Sequence, residues 1–264
     1  MKKLISIDLC AEFGMLKKPD TNEPVYLTFN MLHKPALLGI LGAIAGLKGF
    51  EKKGVLPEYY TKLKNLKVGI QPLNHENGNY QKTTITYNNT TGMASKETGG
   101  NLIVNEQTLV APAFRCYFLL DNENELHQQI DQNLASYHAE YLPYLGKNEF
   151  SVWWKDYKEY DDVEDFEAVE SFKICSIFIK DQPIKDGKDI QPFNPAFTPE
   201  GNTFSYFERL PVAYNEKLFQ YEYRNFAFTD WSLKIDHLNA YKPEHTDNRT
   251  KLLKIDSNEL IQVF

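Results

Sequence analysis

The stretch Phe29-Asn30-Met31-Leu32-His33-Lys34-Pro35-Ala36-Leu37-Leu38-Gly39-Ile40-Leu41-Gly42-Ala43-Ile44-Ala45-Gly46-Leu47 frames the whole chain. Proline suits the first turn of a helix, where its missing N–H leaves no bond unmade. Pro35 therefore opens a helix that runs to about Leu47, with Gly49 as a stop. The apolar run Ala36 to Leu47 is twelve residues long. A bilayer needs roughly 20, so the run reads as a buried helix and not a span. Each interior glycine costs roughly 1 kcal/mol relative to alanine. Gly39, Gly42 and Gly46 are offset by three and then four residues and so share one face. That smooth face allows either tight packing on a sheet or close approach by a ligand or partner. His33 and Lys34 precede the helix, where free N–H groups and the helix dipole favour phosphate.

Working outward, Lys3 to Cys10 alternates apolar and polar residues, as a half-buried strand does. Leu56 to Lys64 suits a short helix and Leu66 to Leu73 a strand. Asn74 to Val110 is rich in Asn, Thr and Gly. It reads as a long projecting hairpin with strands at Lys82–Tyr87 and Leu102–Asn105 and a polar tip at Asn88 to Gly100. Pro112 to Leu120 is another strand, with Phe114, Cys116 and Phe118 on one face and Arg115 and Tyr117 on the other. Asn122 to about Tyr141 is helical, with Leu126, Ile130 and Leu134 at four-residue spacing and Asp121 or Asn122 as its cap. Phe150 to Tyr157 is strand-like. The order strand, helix, strand, strand, helix, strand predicts an α+β chain with a ferredoxin-like, RRM-like βαββαβ domain over residues 1–160, interrupted at about 74–110 by the hairpin. Residues 161–264 predict a C-terminal β-rich region packed on the first, with strands at Phe172–Lys180, Thr203–Leu210 and Leu218–Phe228.

Aromatic residues make up 14% of the 264, enough apolar area to offset the entropy of ordering the chain. Cys10, Cys116 and Cys175 are far apart and form no C-x-x-C pair, which predicts buried free thiols and no zinc or redox site. Met1-Lys2-Lys3 leads directly into a strand pattern, so a cytoplasmic protein without a leader or membrane segment is expected. Net charge is −7, yet residues 1–100 hold 13 Lys and Arg against 8 Asp and Glu, a net of +5. Residues 149–170 hold 2 basic and 9 acidic residues, a net of −7. The acidity from Asp156 to Glu170 is either a solvated loop or a docking surface for a basic partner. Local charge governs phosphate binding more than the total does.

Catalytic patterns are sparse. The six histidines form no H-x-x-x-H pair, and no G-x-S-x-G, Walker or G-x-G-x-x-G sequence occurs. Asp236-His237 is a dyad in sequence only, and the RNP1 aromatic signature is missing. No catalytic residue, metal or cofactor is expected. In the hairpin, Lys82, Tyr87, Met93 and Lys96 offer cations, a stacking ring and an apolar wedge, groups that suit single-stranded nucleic acid. Gly146 in Leu142-Pro143-Tyr144-Leu145-Gly146-Lys147-Asn148-Glu149-Phe150 can adopt a positive φ and turn Lys147 and Asn148 outward. A structural turn alone also accounts for that corner.

The helix block from Phe29 to Leu47 and the block Tyr141 to Phe150 resemble, in order and spacing, the signatures of the fifth CRISPR-associated protein family. Leu210-Pro211-Val212-Ala213-Tyr214 is similar to the family's type I-B branch. The resemblance covers nearly the whole chain. It implies a subunit of a type I surveillance (Cascade) complex that grips the 5′ handle of the CRISPR RNA (crRNA). It also implies a cap on the backbone-subunit filament, docking of the large subunit, and indirect contact with target DNA near the protospacer-adjacent motif. Asn74–Val110 would be the thumb, its tip displacing a nucleotide at the handle–spacer junction. His33, Lys34, Gly146, Lys147 and Asn148 would border the handle, and Arg115 joins the candidate RNA-binding set. Replacing Lys34 and Lys147 with alanine would then flatten the salt slope of binding by about one to two units. In the type I-C branch the subunit cuts precursor guide RNA without metal, using Tyr, Lys and His. That branch's Lys-His pair has no counterpart here, and His33-Lys34 has the reverse order; a metal-independent endoribonuclease is the alternative reading, and a protein-assembly module that never touches RNA is a third.

Overall fold

Alternating apolar residues make Lys2–Ala11 the first strand, β1. The computed structural model describes residues 2–19, 24–88, 102–166, 171–180, 204–234, 250–255 and 259–264. After β1 come β2 (Phe13–Gly14), α1 (Lys34–Ile44), α2 (Glu58–Leu63), β3 (Lys67–Leu73), β4 (Lys82–Asn88) and β5 (Ile103–Val110). Then follow β6 (Ala113–Asp121), α3 (Glu125–Ala135) and β7 (Val152–Tyr160). The chain is mixed α and β, mostly antiparallel sheet with few helices. Four strands form one antiparallel sheet in the order β3-β6-β1-β7. One face carries Ile5, Ile7 and Leu9, beside Phe114, Cys116 and Phe118 of β6 and Val68 and Ile70 of β3. These pack with Leu37, Leu38 and Leu41 of α1 and Ile130 and Leu134 of α3. Burying each such side chain contributes about 1.5–3 kcal/mol, so this face holds the two helices on the sheet.

α1 starts where the sequence places it and stops three residues early. Gly46 takes a φ of 73°. Its N–H donates to the Ala43 carbonyl at 3.3 Å and the Leu47 N–H to the Gly42 carbonyl at 2.8 Å, which closes the helix. The stop assigned to Gly49 therefore belongs to Gly46, which leaves the glycine face. Gly39 and Gly42 do serve close packing, but against Tyr59 of α2 and not against the sheet. A Cβ on Gly42 would lie 3.0 Å from Tyr59 Cγ and overlap its Cβ. α3 is also shorter than its apolar spacing suggests. Asn124 caps it by accepting from Leu126 and His127 N–H at 3.0 and 3.2 Å. Tyr137, at a φ of 57°, turns the chain away.

The hairpin β4–β5 extends the three-stranded sheet β2-β5-β4. Its base is core, contrary to the reading of a purely projecting element. Val104, Glu106, Thr108 and Leu109 are buried. The reason lies in residues 13–14 and 26, which lie along the free edge of β5. Phe13 and Gly14 pair with Val110 and Leu109, and Tyr26 donates to Asn105 and accepts from Gln107, both at 2.9 Å. The tip, including Met93 and Lys96, lies outside the described residues.

The remaining strands are β8 (Glu164–Asp165), β9 (Ser171–Phe172), β10 (Phe178–Ile179), β11 (Ser205–Asn215), β12 (Gln220–Thr229), β13 (Leu233–Lys234), β14 (Lys251–Ile255) and β15 (Glu259–Val263). β11 and β12 pair as a long hairpin with a register shift between Pro211 and Ala213, as expected where a proline cannot donate to the ladder. The single strand expected over Phe172–Lys180 is broken into β9 and β10. β14 and β15 form a further antiparallel hairpin. Leu253, Ile255, Ile261 and Val263 cover Leu4, Tyr117 and Tyr160 on the second face of the main sheet. Val68 and Phe264 exchange backbone hydrogen bonds at 3.1 and 3.0 Å. Part of the acidic stretch is strand: β8 pairs with β14, with Lys251 3.3 Å from Asp165 and Lys254 3.4 Å from Glu164. All three cysteines are free; Cys116 is buried, while Cys10 and Cys175 are only partly so. Among the described residues no helix is long and apolar enough to cross a membrane.

Candidate nucleic-acid interface

The block around Gly146 is a tight loop stitched to its neighbours. The Leu145 N–H donates to Phe150 at 2.8 Å, Phe150 to Lys147 at 2.9 Å, and Val152 to Pro143 at 3.1 Å. Met15 donates to the Leu145 carbonyl at 3.1 Å. Gly146 has a φ of 85°, and any Cβ there would overlap the Met15 carbonyl. Glycine is needed twice over, for the left-handed backbone and for the close approach. The loop lies against the base of the hairpin and delivers Lys147 to it.

Lys147 Nζ donates to Glu106 Oε2 at 2.5 Å and to Glu149 Oε1 at 2.9 Å. It stands 4.7 Å from the centroid of the Tyr87 ring. The Tyr87 hydroxyl donates to the other oxygen of Glu106 at 3.1 Å. Burial works against the Lys147 charge, but the two carboxylates outweigh it and hold the ammonium above the ordinary lysine range. The Lys147 hydrogen bond holds Glu149 below its ordinary carboxylate value. Burial and Glu106 together push the Tyr87 hydroxyl up, so it stays protonated and donating. In the same row of the sheet, Tyr26 and Ile85 flank Glu106 in register, and Lys17 sits 3.6 Å over the Tyr26 ring. Asn148 is exposed on the same loop. Two cation–ring pairs thus stand beside one buried carboxylate, an arrangement that offers ring faces for stacking and ammonium groups for anions.

Of the residues singled out from sequence, Tyr87, Gly146, Lys147 and Asn148 come together here. Lys82 does not join them. Its side chain donates to Asn30 Oδ1 at 2.6 Å and to the Tyr80 carbonyl at 3.3 Å, and burial lowers its pKa. Lys34 is buried and donates to the Phe264 carbonyl at 2.9 Å. Arg115 makes a two-pronged pair with Asp8, at 2.7 and 2.9 Å, on the second face of the main sheet. His33 is buried between Phe29 and Tyr221, with ring centroids 5.3 and 5.7 Å away. Its Nδ1 accepts from the Ala36 N–H at 3.3 Å, which caps α1. The positions before the glycine helix thus face the interior, and neither offers a phosphate a surface.

His33 makes a measurable prediction. Burial pushes its imidazole down from 6.5 to about 3. Between those values the unfolded chain takes up a proton that the folded chain refuses. Its contribution to stability is therefore complete above pH 6.5 and is lost as the pH falls toward about 3. The loss approaches about 1.4 kcal/mol per pH unit. His33→Asn keeps a capping acceptor without a titrating ring. Urea unfolding at stepped pH should show an acid slope smaller by about one proton in this variant. An unchanged slope would mean that His33 titrates as freely in the fold as out of it.

No family model matches the sequence, and no curated protein matches it. Solved structures of similar course include a CRISPR protein from Archaeoglobus fulgidus, with 13% identity over 99% of this chain and 98% of that one, at a TM-score of 0.46. A chain of a CRISPR RNA-guided surveillance complex shows 11% identity over 89% of this chain and 92% of its own, at 0.47. A chain of a type III-B Cmr-beta complex bound to cognate target RNA and AMPPnP shows 10% identity over 93% and 90%, at 0.46.

Glu106, Lys17 and Tyr26 were not among the sequence candidates. The strand expected over Leu102–Asn105 in fact runs on to Val110, and Val104, Glu106 and Thr108 alternate as one buried face of β5. An acidic residue among buried strand positions was the available signal, because such a group needs a cation partner. Lys17 and Tyr26 become visible only once Phe13, Gly14 and Tyr26 are known to flank β5.

Proposed function

We propose that this chain is a non-catalytic, crRNA-binding subunit of a type I CRISPR surveillance complex, closest to type I-B. It holds the 5′ handle, caps the backbone filament and docks the large subunit in the cytoplasm. The observation that carries the reading is the Lys147–Tyr87 pair held on Glu106 at the base of the hairpin. Lys147 comes from the second of the two sequence blocks that resemble the fifth CRISPR-associated family, and Tyr87 and Glu106 come from the segment that resembles the thumb. We further infer that β3-β6-β1-β7, with α1 and α3 on one face, is a ferredoxin-like domain. Phosphate contact by lysine would supply affinity, and bases splayed against rings would add about 1–3 kcal/mol each.

Binding is favoured over cutting by the state of His33. A group held neutral near pH 7 and tied to a helix end is a poor acid and base for phosphodiester cleavage. Repeat-derived RNA incubated with the protein in chelator should remain intact and bound. Cleavage abolished by His33→Ala would overturn this assignment.

Lys147 alone inherits the phosphate contact once expected of two lysines. Lys147→Ala should weaken binding of a single-stranded RNA and reduce the log–log salt slope by about 0.7, the release expected for one phosphate of a single strand. Fluorescence anisotropy across a salt series measures both. A variant with unchanged affinity and slope would remove Lys147 from the interface.

A further inference from the structure

Lys147 is held by two carboxylates of different character. Glu106 comes from a strand, with its side chain 9% exposed. Glu149 comes from the same loop as Lys147, with its side chain 58% exposed. A buried carboxylate stripped of its cation is strongly disfavoured, so the inner pair persists whatever happens outside. An exposed ion pair contributes little, because water screens it and two side chains must be ordered to make it. The outer pair is therefore exchangeable.

Glu106 also divides its two oxygens. Oε2 takes the Lys147 ammonium at 2.5 Å and Oε1 takes the Tyr87 hydroxyl at 3.1 Å. One rigidly placed group thus sets where both the cation and the ring stand. Glu149 completes the ammonium on the solvent side, at 2.9 Å. An ammonium has three donors in a compact head and donates to a phosphate oxygen as readily as to a carboxylate oxygen. A phosphate arriving from solvent meets Lys147 on the side that Glu149 occupies.

We propose that Glu106 is a positioning residue that aims Lys147 and Tyr87 as one unit, and that Glu149 occupies the place of an RNA phosphate until RNA displaces it. The proposal rests on the reading of this site as an RNA interface and adds how the site is kept ready. The two carboxylates around one lysine then have opposite effects on binding. Removing the inner charge spoils the aim, and removing the outer charge removes a competitor.

The test uses the full chain and a labelled single-stranded oligoribonucleotide of mixed sequence, titrated by anisotropy over a salt series. Glu149→Gln should tighten binding by about 2- to 5-fold at low salt, the scale of one exposed ion pair. Glu106→Gln, which keeps size and hydrogen-bonding capacity, should weaken it by about 10-fold and lower the salt slope by about 0.7 as the lysine contact is lost. Glu12→Gln is the charge control: Glu12 is exposed beside β2 and makes no ion pair with Lys147 among the described residues. It should change affinity by less than about twofold, the residue of screened long-range charge. A Glu149→Gln variant no tighter than the Glu12→Gln control overturns the place-holding role. A Glu106→Gln variant that melts earlier yet keeps the wild-type slope shows Glu106 to be merely structural and overturns the positioning role. Wild-type protein that fails to bind the RNA at any salt sinks the RNA reading itself, a different outcome from either.

Discussion

Gly146→Ala is expected to destabilise the chain by about 3 kcal/mol or more, a fall in melting temperature on the order of 10 °C. A left-handed backbone costs a residue with a Cβ about 1–2 kcal/mol, and the φ here is 85°. The added methyl also runs into the Met15 carbonyl. Overpacking costs about 1–3 kcal/mol, and here the struck atom is backbone, which cannot rotate away as a side chain can. Moving Met15 would break its hydrogen bond to the Leu145 carbonyl and disturb the segment that flanks β5. The damage should reach the site, because the loop that carries Lys147 must shift to admit the methyl. Urea unfolding reads the first effect and the RNA salt slope reads the second. A variant as stable as wild type would show that the turn has another conformation within easy reach.

What could be read from sequence divides along physical lines. The start of α1 was legible because Pro35 is a local signal, a proline that fits a first turn; that His33 caps it was not. Its end was not, because Gly46 and Gly49 are equally able to stop a helix. The choice fell to Gly46, whose φ lets the Gly46 and Leu47 N–H groups reach back to Ala43 and Gly42. The Gly146 corner was legible for the same local reason. The burial of Lys34 was not, since the carbonyl it donates to belongs to Phe264, at the far end of the sequence. Nor was β14–β15. Lys251–Ile255 is too short to show a clear period, and its apolar residues gain meaning only from the Tyr117 face they cover. Within the site, loop chemistry announced Lys147 and Asn148. Glu106 was hidden because a buried acid is defined by its partner, and that partner lies 41 residues away.

Arg115→Ala should cost about 2–4 kcal/mol of stability while leaving the RNA salt slope at its wild-type value. The Asp8 side chain is 6% exposed and that of Arg115 34%. Removing the arginine strands a nearly buried carboxylate, which typically costs about 3–5 kcal/mol; the solvent that reaches the arginine side reduces this somewhat. Asp8, Arg115 and Gln71 are neighbours in register across three strands, and Gln71 accepts from the Tyr117 hydroxyl at 2.7 Å. The row is thus a polar seam beside the apolar contact of β14–β15 with the sheet. Adding Asp8→Ala to Arg115→Ala should recover most of the loss, because the stranded charge goes with it, and the cycle should give a coupling of about 1–3 kcal/mol. An arginine that instead gripped RNA would behave in the opposite way. Its loss would lower the salt slope by about 0.7, and removing Asp8 would not restore it. The two outcomes separate a residue that holds the sheet from one that holds the ligand, and the bidentate geometry, which commits Nε and Nη2 to a single carboxylate, favours the sheet.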